Sequence, residues 1–178
     1  MKVLHVLPMG EVDRRLLDWL CRELSGTFRI RCELVSAGED IQFAYHPERD
    51  QYHSSETLTR MHGFLRPNTW RLLGVTSADL YIPILTFVFG EAQMGGPCSI
   101  VSYHRLRQEF YGLPEDDELL ARRLLTEAIH ELGHTLDLTH CRDYRCVMAS
   151  SHAVEWIDIK ENGFCPDCAA RAEESLTL

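Results

Sequence analysis

The segment from His130 to Cys141 holds the residues of this sequence that are best suited to chemistry. It reads HELGHTLDLTHC, in which an HExxH pattern is followed by a third histidine, His140, six residues after His134. Histidines four residues apart lie one above the other on a single helix face, so His130 and His134 can bind the same metal ion. Zinc is the usual occupant, and three protein ligands leave one coordination position open, as in a catalytic site.

Glu131 directly follows the first of these histidines and is turned away from the metal, within reach of a water molecule that the metal activates. A carboxylate in this place can accept a proton as a general base and pass it to a leaving amine. The pattern therefore predicts a zinc-dependent hydrolase, most directly a peptidase acting on peptides or unfolded segments. Two alternatives stay open at this point: a non-catalytic protein that retains the zinc site, and a zinc hydrolase of a non-peptide amide.

The chain must turn sharply between His134 and His140, because a continuous helix cannot bring a residue six positions farther on to the same ion. Most proteins with this pattern have glycine at the position of Asp137, where a left-handed backbone is needed. Aspartate tolerates that backbone at a cost of about 1 kcal/mol. A second possibility is that Asp137 is itself the third ligand, but the spacing favours His140.

The seven cysteines are distributed unevenly. Three are scattered among apolar neighbours and are expected to be reduced core residues, namely Cys21, Cys32 and Cys98. The other four follow the histidine motif and have the spacing of a four-thiolate structural zinc site, the alternative being four free thiols: Cys141, Cys146, Cys165 and Cys168. A metal at this site would stabilise a tail that has few apolar residues of its own.

Length and composition set further bounds. A chain of 178 residues with 45% apolar and 25% charged residues fits one soluble domain with a real core. The net charge of −9 argues against nucleic acid or an anionic membrane as the main partner. Residues 2–9 form an apolar stretch too short for a signal peptide, and nothing resembles a transmembrane span or a propeptide. We expect a cytoplasmic protein, a monomer, whose partner is a peptide or unfolded protein.

Hydrophobic periodicity predicts the elements that must position these residues. Residues 2–9 and 28–36 are expected to be strands, and the apolar spacing between them predicts a helix ending near Gly26. This β-α-β opening favours parallel pairing of the two strands. Residues 38–52 predict a loop, and residues 54–65 predict a second helix.

The middle of the chain is rich in strand-like segments. Residues 72–76 predict a short strand, residues 80–90 a central strand, and residues 91–97 a glycine-rich turn. Residues 99–104 alternate polar and apolar side chains, which predicts a strand with one solvated face. A helix that begins at Pro114, acidic in its first turn, delivers the HExxH histidines near its end.

The combination HExxHxxxxxHC, then x4-C-x-Met, then a distant Cys-x2-Cys, resembles the archaemetzincin family of metzincin zinc peptidases. The resemblance extends upstream through residues 87–92, 102–106 and 110–115 and so covers most of the chain. The cysteine pattern distinguishes this family from other metzincins. Asp137 is the one departure, since the family pattern has glycine there.

The resemblance implies a role for each motif residue. His130, His134 and His140 would bind a catalytic zinc, Glu131 would be the general base and acid, and Met148 would lie beneath the site in a Met-turn. The four late cysteines would bind a second, structural zinc, giving two zinc ions per chain: Cys141, Cys146, Cys165 and Cys168.

The implied fold is metzincin-like and of the α/β (α+β) class. It has a mixed twisted sheet of about four to five strands, three main helices and a small zinc-stapled C-terminal subdomain. Residues 1–178 would form a single zinc-peptidase domain, with an N-terminal subdomain over 1–136 and a C-terminal one over 137–178. Metzincins commonly align substrate antiparallel to an edge strand, and Ser99–Tyr103 is the candidate here.

Overall fold

The computed structural model describes residues 1–36 and 38–176 and places eight strands and five α-helices within them. The strands are β1 Val3–Met9, β2 Arg31–Leu34, β3 Tyr45–His46, β4 Gln51–His53, β5 Thr69–Thr76, β6 Leu80–Tyr81, β7 Gly90–Ala92 and β8 Cys98–Ser102. The helices are α1 Arg14–Phe28, α2 Ser54–Met61, α3 Asp117–Thr135, α4 Val154–Asp158 and α5 Pro166–Leu176. No helix within the described ranges is long and apolar enough to cross a membrane.

The main sheet of the described residues has five strands in the order β2-β1-β5-β8-β7. The first four run parallel, and β7 pairs antiparallel with β8. The parallel β-α-β opening is confirmed, although α1 continues past Gly26 to Phe28. The expected mixed sheet with three main helices, α1 to α3, is confirmed as well.

Helices cover both faces of this sheet. Leu4 and Val6 of β1 face the apolar core shared with α1 and α3, whereas Leu7 and Met9 face the core shared with α2. Successive side chains of a strand point to opposite faces, so an almost uninterrupted apolar strand supplies two cores at once. The central strands are therefore packed against helices on both faces of the sheet.

Residues 80–90 do not form the predicted central strand. Within this segment Leu80 and Tyr81 form β6, which belongs to a separate small sheet in the order β3-β4-β6, and Gly90 begins β7. Ile84 and Leu85, in the middle of the apolar run, are 85% and 49% exposed. Pro83 cannot donate a ladder hydrogen bond, so the chain leaves the sheet there, and Ile84 and Leu85 face solvent.

Other boundaries also differ from the prediction. Residues 38–52 contain a 3-10 turn at Gln42–Ala44 and the antiparallel pair β3 and β4, so they are not simply a loop. The helix predicted over residues 54–65 ends as α2 at Met61, and a 3-10 turn at His62–Phe64 continues it.

The strand predicted over residues 99–104 exists as β8, but it has no solvated face. Every residue of β8 is buried, including Ser99 and Ser102, because α3 packs against one face and α2 against the other. Serine side chains are small enough to fit into a packed core. Their alternation with apolar residues therefore gave β8 the sequence pattern of a half-exposed strand although both of its faces are buried. β8 also lies between β5 and β7, which makes β7 and not Ser99–Tyr103 the edge strand beside α3.

The chain after α3 packs onto the α3 side of the sheet. Leu138, Val147, Val154 and Ile157 are all buried in the same apolar cluster as α1 and α3. The tail therefore shares the main core and does not form a second one.

Candidate metal centres and cleft

Helix α3 presents His130 and His134 on one face, as their spacing requires. Nδ1 of His130 lies 2.8 Å from the carbonyl oxygen of Val147, and Nδ1 of His134 lies 2.7 Å from that of Leu138. A carbonyl oxygen only accepts hydrogen bonds, so both Nδ1 atoms carry the proton and neutral rings leave both Nε2 lone pairs free. Burial lowers the pKa of both rings, that of His130 most, which favours the neutral form that metals bind.

His140 completes a group of three. The Nε2 atoms of His130 and His134 are 3.1 Å apart, and one ring nitrogen of each of the three histidines lies within 4.8 Å of the others. Two nitrogens each about 2.0–2.1 Å from one tetrahedral zinc would lie about 3.3 Å apart. Two free lone pairs at this separation repel each other unless a cation lies between them, so the donor set fits zinc. Among the described residues this group includes His140 and not Asp137.

The chain reverses direction at Asp137, whose φ is 64°. The N–H of Leu138 donates to the carbonyl of Gly133 at 3.1 Å, and the N–H of Asp137 donates to the carbonyl of His134 at 3.0 Å. These two bonds define a Schellman motif, in which the left-handed position is usually glycine. The predicted left-handed turn is therefore present, and it returns His140 to the helix face that carries the other two histidines.

Glu131 is buried beside the edge strand β7. A Cβ atom at Gly90 would lie 2.7 Å from Cγ and Oε1 of Glu131 and 2.6 Å from the carbonyl oxygen of Ile100, so only glycine fits between strand and carboxylate. Burial raises the pKa of Glu131 well above its usual value, and the negative charges of Glu127 and Glu91 add to the effect. The burial and the neighbouring negative charges therefore favour the protonated form of the Glu131 carboxyl group.

A buried ion pair lies one turn before Glu131 on α3. Nζ of Lys160 is 3.4 Å from Oε1 of Glu127, and the two side chains are 1% and 4% exposed. Burial raises the pKa of Glu127, and the nearby ammonium opposes the rise. Lys160 also acts against the upward shift of the Glu131 pKa and adds to the downward shift of the His130 pKa. One ammonium group from the C-terminal segment thus partly offsets the acidic side chains around the histidines.

Met148 packs against the backbone of α3 between the two helical histidines. It is fully buried. A Cβ atom added to Gly133 would collide with its sulfur and would lie 3.1 Å from its Cε and 3.2 Å from the ring of Phe164. The close approach of this thioether to the helix requires glycine in the HExGH sequence.

The four late cysteines converge on one point, their Sγ atoms all lying within 4.8 Å of one another: Cys141, Cys146, Cys165 and Cys168. The Cys141 and Cys165 sulfurs are 3.8 Å apart, which is about the separation of two sulfurs each about 2.3 Å from one tetrahedral zinc. The backbone N–H groups of Met148 and Cys165 donate to Sγ of Cys146 at 3.5 and 3.3 Å, which stabilises a thiolate there. The donor set fits a closed, structural zinc site.

The three remaining cysteines lie inside the fold as free thiols. Cys21 and Cys98 are buried, and Cys32 is half-buried. Burial raises the pKa of Cys98 to about 11, so it is a neutral thiol at physiological pH. This agrees with the expectation of reduced core residues.

The histidines open onto a cleft of about 510 Å³. Its lining includes Glu127 and Glu131, Ile82, the segment from Leu85 to Phe89, the edge strand β7, and Ser150 to His152. A larger hollow of about 1320 Å³ lies at the carboxyl ends of β1 and β5. None of the three histidines is in its lining, so the chemistry belongs to the smaller cleft.

Strand β7 presents free backbone groups to this cleft. The carbonyl of Phe89 and the N–H of Gln93 bond to β8, and Glu91 pairs with Ile100 between them. In an antiparallel ladder the residues that alternate with these pairs point their N–H and C=O groups away from the partner strand. Gly90 and Ala92 therefore direct their backbone groups to the open edge.

Sequence reasoning missed three charged residues of the cleft region. Glu127 lies four residues before Glu131, among apolar side chains of the same helix. This spacing could have predicted from the sequence that Glu127 lies near the site. Glu91 and Lys160 gave no such signal, because only the fold brings β7 and the segment after α4 to the histidines.

Comparison with known proteins gives concordant matches. Residues 39–174 match the family model described as peptidase family M54. The archaemetzincin of Methanocaldococcus jannaschii is 36% identical over 170 residues, which cover 95% of this chain and 92% of that protein. The crystal structure of archaemetzincin from Methanopyrus kandleri matches with a TM-score of 0.85 and 31% identity, covering 99% of this chain and 96% of that one. A zinc-dependent peptidase from Methanocorpusculum labreanum matches with a TM-score of 0.86 and 29% identity, covering 95% of this chain and 99% of that one.

Proposed function

The chain belongs to peptidase family M54, the archaemetzincins, and is a zinc metallopeptidase; on this premise we propose that His130, His134 and His140 hold the catalytic zinc. The observation that carries the assignment is the pair of free Nε2 lone pairs 3.1 Å apart on α3, each ring fixed through its Nδ1–H by a backbone carbonyl. Such second hydrogen bonds fix the tautomer and orientation of metal-binding histidines.

Glu131 is the proposed general base and acid. Bound zinc would polarise the scissile carbonyl and make a water molecule acidic enough to lose a proton near pH 7. The Glu131 carboxylate takes the proton of the attacking water and later delivers it to the nitrogen of the leaving amine. The surroundings that raise the pKa of Glu131 suit it to hold the proton between these two transfers.

Substrate binding is assigned to β7. An extended peptide added to the open edge would pair with the free backbone groups of Gly90 and Ala92. This places its scissile bond over α3, beside Glu131. The short strand leaves room for only a few residues of ladder, so side-chain contacts in the cleft must supply the rest of the affinity.

The four-cysteine group is the proposed second zinc site, which makes two zinc ions per chain. It ties the loop after His140 to the start of α5. Since the tail shares the core of α1 and α3, residues 1–178 act as one catalytic domain, with the C-terminal subdomain over 137–178 forming the floor and lower wall of the cleft. We expect it to work as a monomer on peptides or unfolded segments.

The test of the catalytic assignment is Glu131→Gln, which keeps the shape of the side chain and removes its charge. We expect kcat/KM on a peptide substrate to fall about 10²–10⁴-fold, the usual contribution of a general base, with the zinc content unchanged. Glu115→Gln, an exposed position before α3, is the matched control and should have the parent activity. Peptide cleavage that survives in Glu131→Gln at full zinc content would contradict the mechanism.

The metal assignments have separate tests by elemental analysis. His140→Ala should lose the catalytic zinc and retain the structural one, and Cys165→Ser should do the reverse and also lower the melting temperature. An unchanged zinc content in Cys165→Ser would count against the four-cysteine site.

A further inference from the structure

Glu91 is a carboxylate of the edge strand that the catalytic mechanism does not use. One of its oxygens accepts a hydrogen bond from the hydroxyl of Ser55 at 2.8 Å, and the other accepts one from the hydroxyl of Ser54. Both serines lie at the start of α2, where the helix dipole favours a negative charge. The carboxylate is therefore held in one orientation while it lines the cleft.

The Glu91 carboxylate lacks a cationic partner in the part of the chain that the structure describes. Within residues 1–36 and 38–176, Glu91 has no ion-pair partner, whereas the neighbouring buried acid Glu127 is paired with Lys160. A half-buried anion held by two neutral hydroxyls has lost part of its hydration without gaining a counter-charge, so an incoming cation would bind to it favourably.

The register of the sheet shows where such a cation would come from. Glu91 pairs with Ile100, whose side chain lies in the core on the α2 face. Gly90 lies opposite Val101, whose side chain lies in the core on the α3 face. Side chains of a peptide added beside β7 would alternate between the same two faces. Those on the α2 face would pass next to the Glu91 carboxylate.

We propose that Glu91 is a specificity-determining residue, which binds a cationic group of the substrate, an ammonium or a guanidinium, on the α2 side of the cleft. This rests on the proposed alignment of the substrate along β7. The cation can be the α-amino group of a peptide that begins in the cleft, or a Lys or Arg side chain within a longer peptide. Either cation would make the same contact with the Glu91 carboxylate. Blocking the N-terminus of the peptide would abolish the contact of the α-amino group but not that of a side chain.

Glu91→Gln separates this role from a structural one. Glutamine can accept a hydrogen bond from one serine hydroxyl and donate one to the other, so it can keep the tie between β7 and α2 while it removes the charge. A purely structural role would change the cleavage of all peptides alike. A charge-recognition role changes the ratio between cationic and neutral peptides.

The assay uses matched fluorogenic peptides that differ by Lys against norleucine at single positions on either side of the scissile bond, each with a free or an acetylated N-terminus. Hydrogen bonds to charged groups contribute about 1.5–3 kcal/mol, so the zinc-loaded enzyme should prefer a cationic peptide by about tenfold or more in kcat/KM. In Glu91→Gln the preference should fall to about one. Glu23→Gln, which removes an exposed charge on α1 outside the cleft, should keep the full preference.

A second readout does not depend on turnover. The same peptides, labelled for fluorescence anisotropy, are titrated against zinc-loaded Glu131→Gln and the double variant Glu91→Gln/Glu131→Gln. Binding that prefers the cationic peptide only when Glu91 is present supports the inference, even if the parent enzyme cleaves none of the peptides and the peptidase mechanism fails. Tighter binding of a free than of an acetylated N-terminus identifies the α-ammonium as the cation, and tighter binding of Lys than of norleucine in the acetylated pair identifies the side chain. Equal binding of cationic and neutral peptides to Glu131→Gln, or a preference that survives Glu91→Gln, would overturn it.

Discussion

Replacing Asp137 by glycine tests the turn that positions His140, the proposed third zinc ligand. Asp137 is exposed, has a φ of 64° and occupies the glycine position of the Schellman motif at the end of α3. The backbone of Asp137 forms the turn, and its carboxylate does not belong to the group of three histidines that could hold a metal ion. Asp137→Gly should therefore keep the zinc content of the parent protein and increase the stability of the fold.

The expected gain is small because two effects oppose each other. A Cβ atom in the left-handed region costs about 1–2 kcal/mol, and aspartate lies at the lower end of this range. Glycine loses about 0.5–1 kcal/mol more backbone entropy on folding. The difference leaves a gain of at most about 0.5 kcal/mol, which in a chain of this size raises the melting temperature by up to about 2 °C.

Asp137→Ala is the matched control, because it removes the carboxylate but keeps the Cβ atom. Calorimetry and zinc analysis of the two variants separate strain from ligation. If the strain argument holds, both variants keep their zinc and only the glycine variant melts at a higher temperature. If both variants lose one zinc ion, Asp137 is a ligand, and the assignment of His140 is refuted.

Three further predictions concern close packing and burial. Gly90→Ala should lower kcat while the zinc content stays constant, because the new methyl group displaces Glu131; an unchanged kcat would contradict the close contact seen between them. Alanine is favoured over glycine in a helix by about 1 kcal/mol, yet Gly133→Ala should lower the melting temperature, since overpacking against the buried thioether costs about 1–3 kcal/mol. Gly26→Ala in α1, where a Cβ atom meets nothing within 4 Å, is its control and should raise the melting temperature. Burial lowers the pKa of His5 in the folded chain. As the pH falls, His5 of the unfolded chain therefore takes up a proton first, near pH 6.5. The stability contributed by neutral His5 is thus full above about pH 6.5 and is lost as the pH falls below it. His5→Gln should reduce the fall in the urea midpoint between about pH 7.5 and about pH 5.5, and an equal fall in the parent and the variant would refute this.

The site was more predictable from sequence than the sheet that supports it. His130 and His134 are related by helix geometry alone, and Asp137 marks a turn whose backbone requirement is local. The cysteine spacing likewise predicted which four cysteines lie together in the fold. Local rules are sufficient where the residues concerned are near in sequence.

The position of the edge strand depends on tertiary packing, and here local rules failed. The serines of β8 alternate with apolar residues as they would in a half-exposed strand, but two helices bury both of its faces. Ile84 and Leu85 were predicted to lie in a central strand, whereas they are exposed near the cleft. Apolar side chains at a binding surface have the same sequence signature as a buried strand, so their location follows only from the fold.

The cysteine group is joined to the histidine group through the covalent chain at several points. Cys141 directly follows His140, and Cys146 directly precedes Val147, whose carbonyl orients His130. Under the proposed assignments, the ion that does no chemistry fixes the groups that the catalytic ion needs. Loss of the structural ion would then loosen the Val147 carbonyl that orients His130, while the three histidine ligands themselves remain in place.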